Sequence, residues 1–175
     1  MALNKGKQFE EHFKLDFIKS VDGAFLLRLP DQMSGYKGYS KNLCDFIAYK
    51  YPNIFLIECK SHEGNTFPLS KLTQYDLLST KVGIYGVRVG VIIWFIDKDK
   101  VVYVPISEIT KMKNDGKKSV NINMMNDDAY KLVEIPSEKK RVFLSCDYSV
   151  LLNLGEGEWF DSQYWIWKKI CWRNA

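Results

Sequence analysis

The chain opens with a helical spacing. Phe9, Phe13 and Phe17 recur at every fourth position among charged residues, with Leu3, Leu15 and Ile18 alongside. This predicts a helix over Leu3 to Ile18 with Asn4 as its N-cap, carrying Glu10 and Glu11 beside the aromatic stripe. Ala24 to Leu29 reads as a short strand ended by Pro30, and Asp31 to Asn42, rich in Gly, Ser, Tyr and Lys without periodicity, reads as a loop. Two apolar runs follow, Leu43 to Tyr49 and Ile54 to Lys60, separated by Tyr51-Pro52-Asn53. They predict the paired strands of a hairpin.

Beyond the turn-rich link Ser61 to Phe67, Pro68 leads into a helical pattern carried by Leu69, Leu72, Leu77 and Leu78 as far as Lys81, with Gln74 inside it. Gly83 to Gly90 predicts a break, and the continuous apolar run Val91 to Ile96 a central strand. Asp97-Lys98-Asp99-Lys100 is a charged turn into a returning strand, Val101 to Val104, closed by Pro105. Ile106 to Met112 predicts a short helix capped by Ser107, and Asn121 to Leu132 another, entered at Asn126-Asp127-Asp128. Val133 to Pro136 and Arg141 to Leu144 read as short strands around the basic turn Lys139-Lys140-Arg141, and Asp147 as the cap of a helix through Leu154. Helices interleaved with strands in this order predict an α/β fold, a mixed central β-sheet flanked by helices.

Composition narrows the class. A chain of 175 residues, 46% hydrophobic and 26% charged, fits one soluble domain over 1–175, with 137–175 an aromatic-rich extension holding Trp159, Phe160, Tyr164, Trp165, Trp167 and Trp172. No run of about 18 apolar residues occurs and the first residues lack a signal-type core, so a cytoplasmic protein without a membrane partner is expected. Cys44, Cys59, Cys146 and Cys171 have neither zinc-site spacing nor disulfide-scaffold density, and read as reduced thiols. The net charge of +4 permits a nucleic-acid partner without demanding one. No Gly-x-x-x-x-Gly-Lys loop points to a nucleotide cofactor, and His12 and His62 support no Ser/His/Asp arrangement.

The chemistry concentrates in the hairpin. Glu58 and Lys60 are two apart on a strand and share a sheet face, and Asp45 joins them from the neighbouring run. Charges in strands that otherwise read as buried need compensation, and two carboxylates with an ammonium are the parts of a divalent-metal hydrolytic site. In the loop before Asp45, Tyr36, Lys37, Tyr39 and Lys41 interleave aromatic and basic groups that suit phosphate and base contact, and Arg28 at the end of the first strand can reach a phosphate or pair with Asp31.

A carboxylate about a dozen residues before Glu-x-Lys resembles the PD-(D/E)XK nuclease superfamily, with its restriction endonuclease-like core. Asn4-Lys5-Gly6-x-x-Phe9-Glu10, Asn65-Thr66-Phe67-Pro68-Leu69 and Gln74 extend the resemblance to the RecU family of Holliday junction resolvases, over residues 4–105. The resemblance implies a homodimeric endonuclease that cuts four-way DNA junctions with Mg²⁺, Mn²⁺ being a possible substitute. It implies Glu10, Asp45, Glu58, Lys60 and Gln74 as catalytic residues, with Asp45, Glu58, Glu10 and the Cys59 backbone carbonyl as metal ligands. Arg28, Tyr36, Lys37, Tyr39, Lys41, Thr66 and Lys71 are the candidate DNA contacts. The family's central stalk corresponds to the short Asp31 to Asn42 here, and the region after Ser137 has no clear counterpart. Two other readings therefore stay open: a phage or restriction-type nuclease acting on duplex or branched DNA, and a DNA-binding recombination factor that does not cut.

Overall fold

The computed structural model describes residues 5–30, 42–141 and 143–154. The expected helix is α1, Lys5–Ser20, and its buried face is the aromatic stripe Phe9, Phe13 and Phe17. The Asn4 cap lies outside the described residues. Strands β1 (Phe25–Arg28), β2 (Phe46–Lys50) and β3 (Asn53–His62) follow, then the short β4 (Thr66–Pro68). The helical pattern after Pro68 does not form one helix. It breaks into a single 3-10 turn at Leu69–Lys71 and a five-residue α2, Tyr75–Ser79, because Leu72 and Leu78 turn inward from separate segments.

Strand β5 spans Val87–Phe95 and runs back through the stretch expected to be a break. Gly90 is the reason that stretch misleads. It sits inside the strand where a Cβ would stand 2.2 Å from the Tyr103 ring, so glycine serves close packing here and makes no turn. Strand β6 (Lys100–Pro105) returns through Asp99, which adopts a left-handed conformation at φ 49°. Helix α3, Ile106–Asn114, starts from Pro105, and no side chain caps it; Ser107 lies inside its first turn. It ends on Gly116 at φ 75°, with Lys117 N–H donating to Met112 O at 2.8 Å and Gly116 N–H to Lys113 O at 3.1 Å.

Strands β7 (Ser119–Asn121), β8 (Val133–Ile135), β9 (Ser137–Lys139) and β10 (Leu144–Cys146) complete the described chain. The helix expected from Asn126 is instead a 3-10 segment, Ile122–Asn126, capped by the Asn121 side chain. Asp147 caps as expected, but what it caps is also a 3-10 segment, Tyr148–Asn153.

The main sheet is six-stranded, in the order β1-β2-β3-β5-β6-β8. Only β3 and β5 pair in parallel; the other neighbours are antiparallel, which makes the sheet mixed. Each face carries its own core, as the period of two along central strands requires. On one, α1 lays Phe9, Phe13 and Phe17 over Phe46, Phe55, Ile57, Cys59 and Ile92. On the other, Leu72, Leu78, Ile109 and Met112 pack with Leu56, Val91, Ile93 and the β4–β7 ribbon residues Phe67 and Val120. This is an α/β fold with a central mixed sheet flanked by helices.

Candidate active site

Along β3 the even positions Leu56, Glu58, Lys60 and His62 face the α2–α3 side, and the odd positions Ile57 and Cys59 face α1. Glu58 therefore sits among core residues, and among the described residues it is the one buried charged side chain, at 0% exposure. Its Oε1 accepts from Lys60 Nζ, two residues on and 24% exposed. Its Oε2 is buried with no hydrogen-bond partner. Burial pushes the Glu58 carboxyl up to about 7 from 4.5, Asp45 adds to the rise, Lys60 opposes it, and Glu10 contributes last.

Asp45 stands just before β2. Its N–H donates to Ile57 O at 3.2 Å, while Phe46 is the ladder partner of Ile57, so two residues oppose one as in a β-bulge. The pairing of β2 stops there, and the Asp45 side chain continues it: Oδ2 accepts from Cys59 N–H at 2.8 Å. In an extended strand both backbone groups of a residue point to one neighbour. The Cys59 carbonyl is thus directed to the side of β3 that Asp45 occupies. Asp45, Cys59, Glu58 and Lys60 form one contiguous group where the β2–β3 ladder opens.

Glu10 comes from α1. Arg28 Nη2 donates to Glu10 Oε2 at 2.5 Å, and Nη1 lies 3.6 Å from Glu11 Oε1. Arg28 is thus an ion partner of Glu10 across the α1–β1 contact, and Asp31, its other expected partner, lies outside the described residues. Glu10 is near enough to raise the Glu58 carboxyl.

The remaining candidates lie further out. Gln74 occupies the N-cap position of α2 without capping it, and its Oε1 accepts from Thr73 Oγ1 at 2.9 Å, so its hydrogen bond does not lead to the carboxylates. Thr66 Oγ1 accepts from Asn121 Nδ2 at 2.9 Å within the β4–β7 ribbon. Lys71 is exposed on the 3-10 turn that follows the ribbon. Tyr36, Lys37, Tyr39 and Lys41 fall outside the described residues.

Two features had no signal in the sequence. Cys59 N–H anchors Asp45, a backbone role that no residue type advertises. The Cys44 thiol, buried beside the carboxylates, is pushed up to about 12, first by burial and then by Glu58, and so remains protonated.

Among the described residues no group of three or more His, Cys, Asp and Glu side chains is arranged to hold a metal ion. The donor set here is smaller: two carboxylates and a backbone carbonyl. Mg²⁺ binding typically uses one or two carboxylates with waters and substrate phosphates rather than an all-protein cage, so this set fits it. The partnerless Glu58 Oε2 is the specific vacancy in hydrogen bonding that a cation would satisfy. No helix among the described residues is long and apolar enough to cross a membrane.

No protein-family model matches the chain, and no curated protein matches it. A solved structure to which it is similar is that of Hjc from Archaeoglobus fulgidus, a Holliday junction resolvase from an archaeal hyperthermophile. The TM-score is 0.45 and the identity 20%, covering 59% of this chain and 78% of that one.

Proposed function

We propose that this chain is a metal-dependent DNA endonuclease of the resolvase type, cutting four-way junctions in recombination and repair. The observation that carries the reading is Glu58: a fully buried carboxylate in a core strand with one oxygen on Lys60, the other without a partner, and Asp45 beside it. A buried charge without full compensation is costly, and perturbed carboxylates of this kind cluster at functional sites. The motif Asp45, Glu58-Cys59-Lys60 with Glu10, Thr66 to Leu69 and Gln74 supplies the family resemblance.

In this reading Asp45, Glu58 and the Cys59 carbonyl would hold Mg²⁺, or Mn²⁺ in its place, with Glu10 as a further ligand. The ion supplies charge neutralisation at the phosphate and a water of lowered pKa. The chain's own residues do the rest. Lys60, partly exposed beside Glu58 Oε1, would orient the attacking water and stabilise charge on the phosphate oxygens. Arg28 holds Glu10 through their ion pair. Asp45, clamped by the Cys59 amide, is held in a single orientation. Gln74 positions substrate or water from α2. Thr66, Lys71 and the loop residues Tyr36, Lys37, Tyr39 and Lys41 contact DNA, and a cytoplasmic homodimer presents two such sites to paired strands.

Four-way junction, linear duplex and flap DNA, each incubated with Mg²⁺ and with chelator, test the reading. Symmetric nicking of the junction alone supports it, duplex cutting points to a restriction-type enzyme, and binding without cutting to a recombination factor. Lys60→Ala is expected to abolish cleavage while DNA binding persists; full activity in that variant would falsify the assignment.

A further inference from the structure

The β4–β7 ribbon brings together lysines that are far apart in the chain. Pro68 pairs with Ser119, and Leu69 N–H donates to Lys118 O at 2.9 Å, so Lys117 and Lys118 stand beside the turn that carries Lys71. All three are exposed, and among the described residues none of their ammonium groups makes an ion pair, hydrogen bond or ring contact. The neighbouring lysines are accounted for differently. Lys111 and Lys113 lie in the last turn of α3, where the helix dipole favours them, and they sit over the rings of Tyr130 and Tyr75. The carboxylate on the same loop, Asp115, is taken up by the Tyr130 hydroxyl at 2.9 Å. Three uncompensated lysines thus lie on adjoining turns, and the left-handed Gly116, with the backbone bonds of Gly116 and Lys117, holds the loop in place.

The location matters as much as the charge. Phe67 and Val120 anchor the ribbon to the core on the sheet face that also bears Glu58 and Lys60. β4 follows β3 after the three-residue link Glu63 to Asn65, so the cluster flanks the candidate active site on the same side of the molecule. We propose that Lys71, Lys117 and Lys118 form a backbone clamp for an arm of duplex DNA, each neutralising a phosphodiester away from the scissile one. This rests on the nuclease reading above. The clamp reads no sequence, because a lysine ammonium on a phosphate fixes register and orientation only. Its contribution is salt-dependent affinity.

The test compares two double variants that remove the same net charge: Lys117→Ala/Lys118→Ala, and Lys14→Ala/Lys19→Ala on exposed positions of α1, on the opposite face. Affinity for junction and duplex DNA is measured by fluorescence anisotropy in chelator over a range of KCl. The slope of log affinity against log salt is expected to flatten by about 2 in the first pair, and by about 1 more when Lys71→Ala is added. Affinity at about 0.1 M salt should drop roughly tenfold or more, the α1 pair should behave as wild type, and Lys117→Arg/Lys118→Arg should restore binding. With Mg²⁺, KM should rise while kcat at saturating DNA stays unchanged. An unchanged slope, or an equal loss in the α1 pair, overturns the clamp while leaving the nuclease reading intact. Failure of the wild-type chain to bind any DNA overturns both.

Discussion

Glu58 is the residue at which stability and proposed function oppose each other. Its carboxyl is pushed up to about 7, mainly by burial and then by Asp45. A group whose folded-state pKa is raised contributes stability in full below its ordinary value of 4.5, and that contribution is lost as pH rises through about 7. Metal-free protein is therefore expected to lose thermal stability between pH 5 and 8. Glu58→Gln, which cannot ionise, should melt higher than wild type at pH 8 in chelator by on the order of 5 °C, the gap closing toward pH 5. Melting curves of both proteins across that range check this, and parallel pH profiles would show that Glu58 does not carry the effect. Arg28 shows the reverse arrangement, a charge whose partners Glu10 and Glu11 come from the helix packed beside it.

Among the elements, the contact between β5 and β6 depends on a close approach at Gly90. A Cβ on Gly90 would stand 2.2–2.5 Å from ring atoms of Tyr103, itself buried at 4% exposure in the core under α1. The ring cannot swing out to solvent, so Gly90→Ala must shift two paired central strands. It is expected to cost about 2 kcal/mol, read as a lowered urea midpoint with unchanged slope. A midpoint equal to wild type would mean the strands adjust more freely than their packing implies. The same strand shows why propensity misled: a glycine beside Val87 to Val89 looks like punctuation until the Tyr103 ring, lying diagonally across from it on β6, is known.

For the molecule as a whole, the sheet is a platform with a core on each face and the candidate site where one ladder ends. If Asp45, Glu58 and the Cys59 carbonyl bind a cation, Mg²⁺ should stabilise the folded chain by mass action. Mg²⁺ at about ten times its dissociation constant adds about 1.4 kcal/mol, a rise of roughly 3–5 °C in Tm at pH 8. Chelator should reverse the rise and Asp45→Asn should abolish it. A shift of the same size in Asp45→Asn would place the cation elsewhere. This readout needs no DNA and no turnover, so it separates metal binding from catalysis.

Much of this was legible in the residues alone. The four-residue spacing of Phe9, Phe13 and Phe17 determines α1, since only a helix places those rings on one stripe. The apolar runs around Tyr51-Pro52-Asn53 determine the β2–β3 hairpin, and the two-residue step from Glu58 to Lys60 determines that they meet. Local rules failed where an element owes its form to distant partners. Ser107 is a good cap by type, but α3 starts from Pro105; the leucines after Pro68 are helically spaced, but they are drawn into the core from two separate turns. Only the tertiary structure decided that Asp45 completes the ladder on Cys59 N–H, that Arg28 answers Glu10, and that Lys118 pairs with Leu69 beside the turn that carries Lys71. Periodicity records which face a residue shares with its near neighbours, whereas which segments are pressed together is set by how the whole sheet closes its two cores.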